Sequence, residues 1–124
     1  MSENTKANNE LGRQGEDMAV KFLSDLGLKI LARNWRTGHL EIDIIAETAK
    51  EIVFIEVKTR VNDYLADPFA AVNRKKQKLL VRAADAYMQQ SAIDKPFRFD
   101  IVSVIINQFE KKLEHIEDAF YPTT

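Results

Sequence analysis

The chain has no cysteine among its 124 residues. Disulfides, thiolate metal sites and a cysteine nucleophile are therefore excluded, and the composition fits a reducing compartment. No apolar run is long enough to span a bilayer. The stretch from Met1 to Asn9 is polar and has no hydrophobic segment of the signal-peptide kind. The cytoplasm is the expected location, with no membrane partner. Charge of one sign is not in excess either. Lysine and arginine number 18, aspartate and glutamate 19, for a net charge of −1. Affinity for phosphates has to come from local patches, because the chain lacks the overall basicity of many nucleic-acid binders. What is present is a globular composition, 45% hydrophobic and 30% charged. A chain of this length is expected to form one domain with a core of its own.

Residues 1–9 read as a flexible tail and residues 10–121 as a single α/β domain. Met18, Ala19, Phe22, Leu23 and Leu26 recur at helical spacing, which predicts a helix from about Leu11 to Leu26 with Gly27 as its C-cap. Glu16 then falls in the first turn, where an acid complements the helix dipole. Strands are predicted at Lys29–Trp35, Leu40–Ala46 and Ile52–Thr59. The connections between them are short, which favours antiparallel pairing. Pro68 marks the loop that follows. A second helix is predicted over Arg74–Gln90, with Asn73 as N-cap and Leu79, Leu80, Ala83, Ala84, Tyr87 and Met88 facing inward. Pro96 opens a strand, Phe97–Ile106, whose near-continuous apolar character predicts cover on both faces. A last strand is placed around Leu113–Ile116. The order helix, three strands, helix, one or two strands predicts an α/β sandwich with a mixed sheet and helices covering it.

Chemistry concentrates between Glu41 and Arg60. One apolar run carries Glu41 and Asp43, and the next carries Glu56, Lys58 and Arg60. Alternation puts Glu41 and Asp43 on one face of a strand, and Glu56, Lys58 and Arg60 on one face of its neighbour. Adjacent carboxylates repel unless a proton or cation lies between them. A hard cation such as Mg²⁺ prefers oxygen ligands and activates water. The Val57 carbonyl, between Glu56 and Lys58, is placed to supply another oxygen ligand, and the Lys58 ammonium suits orienting or deprotonating that water or stabilising charge on a phosphate. Read alone, Glu56-Val57-Lys58 is also what a solvated strand face with a surface ion pair looks like.

Several segments together resemble a known family. They are Gly12-Arg13-Gln14-Gly15-Glu16-Asp17-Met18-Ala19, Ile30-Leu31-Ala32-Arg33-Asn34-Trp35-Arg36, Glu41-Ile42-Asp43-Ile44-Ile45-Ala46 and Val53-Phe54-Ile55-Glu56-Val57-Lys58-Thr59-Arg60. Ala71-Val72-Asn73-Arg74-Lys75-Lys76-Gln77, Arg98-Phe99-Asp100-Ile101-Val102 and Glu114-His115-Ile116-Glu117-Asp118-Ala119-Phe120 continue the match. The chain resembles the YraN-like family of bacterial proteins, which is similar to the restriction-endonuclease-like superfamily of PD-(D/E)xK nucleases. The resemblance implies a core of helix, three antiparallel strands, helix and strand. It implies a metal-dependent nuclease acting on DNA or RNA, with Asp43, Glu56 and Lys58 catalytic. It further implies Mg²⁺ or Mn²⁺ as cofactor, held by Asp43 and Glu56 with Glu41 or Glu16, and a homodimer as one assembly. Ile42 stands where the motif has proline, Leu40 where the family usually has glycine, and Val81 where some relatives have a tyrosine after Gln77.

Arg74, Lys75, Lys76, Lys78 and Arg82 form a dense basic run on the second helix. Arg74, Lys75 and Lys78, with Arg33, Arg36 and Arg60, are the expected nucleic-acid contacts. A solvated helix face has the same composition. His115, His39 and Trp35 are expected to be packed or exposed residues, and Asp100 to pair structurally with Arg98 or a helix cation. Two alternatives to a nuclease remain: a non-catalytic nucleic-acid-binding module on the same fold, and a protein-interaction subunit that uses its acids on a partner's basic surface.

Overall fold

The computed structural model describes residues 2–62 and 72–122; Pro68 lies outside them. Helix α1 spans Ser2–Asp25 and therefore takes in the segment read from sequence as a tail. No proline interrupts the polar stretch, and extending an existing helix costs far less than starting one. Glu10 adds side-chain contacts to Arg13 and Gln14, three and four residues on. Glu16 consequently sits in the middle of α1, and a first-turn role against the dipole does not apply to it. The helix stops where the Leu28 amide reaches back to the Leu23 carbonyl at 3.1 Å and the Gly27 amide to that of Ser24 at 2.9 Å. Gly27 takes φ +99°, the left-handed turn that such a C-cap requires. Leu26 falls beyond the helix and is exposed.

Three strands follow, β1 (Lys29–Thr37), β2 (Leu40–Glu47) and β3 (Ile52–Arg60). They pair antiparallel in sequence order. The β1–β2 turn has two residues, and Gly38 at its first position has φ +59°, as a tight hairpin turn of the II′ kind demands. The Thr48 hydroxyl accepts the amides of Lys50 and Glu51 and shapes the β2–β3 turn. Helix α2 (Arg74–Ser91) lies between β3 and β4 (Phe97–Ile106), which pair in parallel. A parallel pair needs such a crossover. The Asn73 side chain caps α2 by accepting the Lys76 amide at 2.9 Å. Strand β5 (Lys111–Phe120) pairs antiparallel with β4 and closes the order β1-β2-β3-β4-β5. It is longer than the sequence indicated. Its exposed polar positions on a sheet edge hide the alternation.

The sheet has a helix on each face. Leu80, Ala83 and Ala84 of α2 cluster with Ile42, Ile45, Phe54, Phe99 and Ile101. Ala19 and Leu23 of α1 cluster with Ile44, Val53, Ile55, Val102 and Val104. Phe99 through Ile106 are all buried, as expected for a strand covered on both sides. The fold is thus an α/β structure with a five-stranded mixed sheet, in the helix–three antiparallel strands–helix–strand order expected from the sequence. Among the described residues no helix is long and apolar enough to cross a membrane.

Candidate functional site

Alternation along β2 slips at Asp43. Ile42 and Ile45 face α2, whereas Ile44 and Ala46 face α1. The residue opposite on β1, Asn34, has φ +51°, a left-handed conformation that asparagine tolerates better than most residues. The β2–β3 ladder ends at the pair Ile44–Ile55. In place of another ladder bond, the Val57 amide donates to the Asp43 carboxylate at 2.8 Å. Asp43 therefore stands at the point where the two strands part.

Glu56 is the buried acid of β3, with 5% of its surface exposed, and its side chain lies against that of Asp43. The Asp43 carboxyl is pushed up to about 8, first by burial, then by the hydrogen bond and charge of Glu56; the Val57 amide and Lys76 oppose the rise only partly. With its value at about 8, the Asp43 carboxyl holds its proton at neutral pH. Lys76 on α2 brings its Nζ to 3.2 Å from Glu56 Oε2. That oxygen is buried and has no aligned hydrogen-bond donor among the described residues. The ammonium neutralises it as an ion pair without completing its hydrogen bonding.

A cleft of about 660 Å³ opens beside Asp43, lined by Gly12, Glu16, Arg33, Glu41, Val57 and Thr59 among others. Gly15 sets its width. A Cβ there would stand 1.9 Å from the Thr59 hydroxyl oxygen, so only glycine lets α1 lie this close to β3. Both Glu16 and Glu41 reach the cleft, and both are already paired. Arg33 donates to Glu16 at 3.0 Å and to Asp17 at 2.7 Å, and Asn34 donates to Glu16 at 3.0 Å. Arg36 donates to Glu41 at 2.6 Å.

Of the expected site residues, then, Asp43 and Glu56 are in contact, and Glu41 and Glu16 share the cleft wall with Asp43. Among the described residues no three acidic or imidazole side chains converge closely enough to hold a metal ion. Convergence stops at two because internal arginines draw the other acids aside. Lys58 is half-buried. Alternation places it on the Glu56 face of β3, and it does not line the cleft. Arg33 and Arg36 are ion-paired within the chain, and Arg60 donates to Ser103 Oγ at 2.9 Å. Arg74, Lys75 and Lys78 are exposed on α2.

The residue that sequence reading missed is Lys76. A signal existed. The first turn of α2 holds three cations and no acid, where the dipole disfavours positive charge, so a carboxylate partner was to be sought. Asp100 and His115 behave as structural residues. The buried Asp100 carboxylate receives Arg98 Nε at 3.0 Å, the Asp118 amide at 3.0 Å and His115 Nε2 at 2.7 Å, and the His115 ring packs edge-on against Phe22.

The residue pair Asp43–Glu56 has the hard oxygen donors that a divalent cation prefers, two groups rather than three. It offers two buried oxygen-donor groups, one of them with an unsatisfied oxygen, where a proton now balances the charge.

Residues 15–104 match the model of the family described as "Uncharacterised protein family UPF0102". The chain is 51% identical over 114 residues to a UPF0102 protein of Bacteroides thetaiotaomicron, covering 92% of this chain and 94% of that one. It is 46% identical over 113 residues to one of Parabacteroides distasonis, covering 91% and 93%. With one of Phocaeicola vulgatus it shares 43% identity over 114 residues, covering 92% and 94%. The chain belongs to the UPF0102 family.

Proposed function

We infer that the protein is a metal-dependent nuclease that hydrolyses phosphodiester bonds of DNA or RNA. The observation that carries this reading is the Asp43–Glu56 carboxylate pair, buried at the parting of β2 and β3, with Asp43 on the wall of a cleft. Two acids in contact oppose folding unless something positive lies between them. Their placement beside an open cleft is the arrangement of a site that takes up charge from outside.

Asp43 and Glu56, with the Val57 carbonyl, would hold Mg²⁺ or Mn²⁺, which when bound polarises a phosphate oxygen and acidifies a water. The Val57 amide fixes the Asp43 carboxylate through its 2.8 Å hydrogen bond. Lys76 Nζ, 3.2 Å from Glu56 Oε2, holds that side chain in place. Lys58, two positions after Glu56 on the same face, supplies an ammonium for the attacking water or for charge developing on the phosphate. Glu16 and Glu41 line the approach, paired with Arg33 and Arg36 respectively.

The test is incubation of the purified protein with branched, single-stranded and duplex DNA and RNA, with Mg²⁺ and with Mn²⁺. Cleavage that needs the cation and disappears in Asp43→Asn and in Glu56→Gln supports the reading. Inactivity on every substrate, together with no cation binding by calorimetry, overturns it. A non-catalytic binding module is the second reading. It is favoured by the internal pairing of Glu16 and Glu41, and it requires salt-sensitive nucleic-acid binding that survives Asp43→Asn.

A further inference from the structure

A second groove, of about 250 Å³, is lined by Arg74, Gln77, Lys78, Val81 and Arg82 of α2 and by Tyr121, which follows β5. Arg74, Lys78 and Arg82 recur every four residues, so they form one row along the helix with a rise of about 6 Å per step. That step is comparable with the phosphate-to-phosphate step of an extended nucleotide chain. All three are exposed, and none makes an ion pair among the described residues. No carboxylate lines the groove among the described residues. The arginines that line the Asp43 cleft, Arg13 and Arg33, are different, being paired with acids of their own chain.

Tyr121 brings a second kind of surface. Its hydroxyl is tied to the Asp118 carboxylate at 3.2 Å, and the Asp118 amide in turn donates to buried Asp100 at 3.0 Å. The ring is thus anchored at one end, yet 66% of the residue is exposed. Half-buried Val81 shares the groove with it. An anchored aromatic ring beside an aliphatic side chain, next to a row of exposed cations, offers stacking and phosphate neutralisation together. A duplex encloses its base faces and can use only the cations. A single strand can use both.

We propose that the groove between α2 and Tyr121 binds single-stranded nucleic acid, with Arg74, Lys78 and Arg82 on successive phosphates and a base stacked on Tyr121 against Val81. The proposal rests on the reading of nucleic acid as substrate, and it is independent of hydrolysis because binding is measured without a divalent cation.

The experiment is fluorescence anisotropy of the full chain in EDTA, with a labelled oligothymidylate and a length-matched duplex, over a range of salt. The single strand is expected to bind more tightly than the duplex. Tyr121→Ala should weaken single-strand binding by about 10-fold or more, whereas Tyr121→Phe, which keeps the ring, should retain it. Lys78→Gln and Arg82→Gln should each flatten the slope of log affinity against log salt by about 0.7. Equal affinity for duplex, a silent Tyr121→Ala, an effect of Tyr121→Phe as large as that of Tyr121→Ala, or no binding at low salt would overturn the proposal. Strand binding by a protein inactive on every nuclease substrate would leave this groove standing and remove the hydrolase reading. Cleavage with no contribution from the groove would do the reverse.

Discussion

Lys76 Nζ of α2 stands 3.2 Å from Glu56 Oε2 of β3, and it is the cation that meets the buried acid of the candidate site. The contact joins the crossover helix to the point where β2 and β3 part and Asp43 and Glu56 touch. Lys76 is 42% exposed while Glu56 is 5% exposed, so the pair is partly screened by solvent. Lys76→Gln should therefore destabilise the protein by about 1–3 kcal/mol at pH 7, between the ranges for exposed and buried pairs. Urea denaturation measures this. In a Glu56→Gln background the same substitution should cost almost nothing, and an unchanged cost there would show that Lys76 acts through something other than Glu56.

The raised carboxyl of Asp43 gives stability a defined pH dependence. Its ordinary value is 3.8 and its folded value about 8, so between those limits the folded state binds more protons than the unfolded one. Stability from this group is complete below about pH 4 and declines as pH rises toward about 8. Asp43→Asn imitates the protonated acid. It should make the protein more stable than the wild type at pH 8, by roughly 2–5 kcal/mol, while removing any cation-dependent activity. Thermal melts at several pH values check this. A wild type equally stable at pH 5 and pH 8 would contradict the raised Asp43 carboxyl.

Asp100 works in the opposite sense. Burial alone would raise its carboxyl, but hydrogen bonds from His115, Arg98 and the Asp118 amide outweigh burial and hold it below its ordinary range. The stability it contributes is present above the unfolded value of 3.8 and is lost as pH falls through the folded one. Asp100→Asn should cost about 3 kcal/mol at pH 7 and shrink the acid-side loss, as read by urea denaturation from neutral pH downward. Wild-type acid sensitivity in the Asp100→Asn variant would assign that loss elsewhere.

The approach of α1 to β3 turns on Gly15. A methyl group there meets the Thr59 hydroxyl oxygen at 1.9 Å and its Cγ2 at 2.8 Å. Thr59 is short and β-branched and has little room to yield. Gly15→Ala is expected to destabilise by about 1–3 kcal/mol, as overpacking does, and to move Glu16 relative to Asp43. Adding Thr59→Ala should recover part of the loss in thermal melts. No recovery would mean that the helix and strand are not in contact there.

Much of this arrangement was legible in the sequence because it depends on local periodicity. The strand starts at Lys29, Leu40, Ile52 and Phe97 agree with the structure, since burial on one or both faces writes itself into the order of apolar residues. Asn73 was readable as a cap because its side chain serves the amide three residues on. What depends on which elements meet was less legible. Alternation gave the face of Asp43 but not the slip opposite Asn34, which a left-handed residue on a different strand produces. The engagement of Glu16 by Arg33 and of Glu41 by Arg36 decides which acids remain available. Only the pairing register of β1 with β2 and the seating of α1 reveal it. Lys76 was hidden among five cations on α2, and its distinction is simply that its turn of helix lies over Glu56.

We propose that a divalent cation binding between Asp43 and Glu56 displaces the proton on Asp43. Titration calorimetry with Mn²⁺ at pH 7, repeated in buffers of different ionisation enthalpy, counts protons released as the cation binds. The expected result is binding by the wild type with release of about one proton, because Asp43 is protonated below about pH 8, and loss of both signals in Asp43→Asn. Equal binding by Asp43→Asn, or no binding by the wild type, would contradict it.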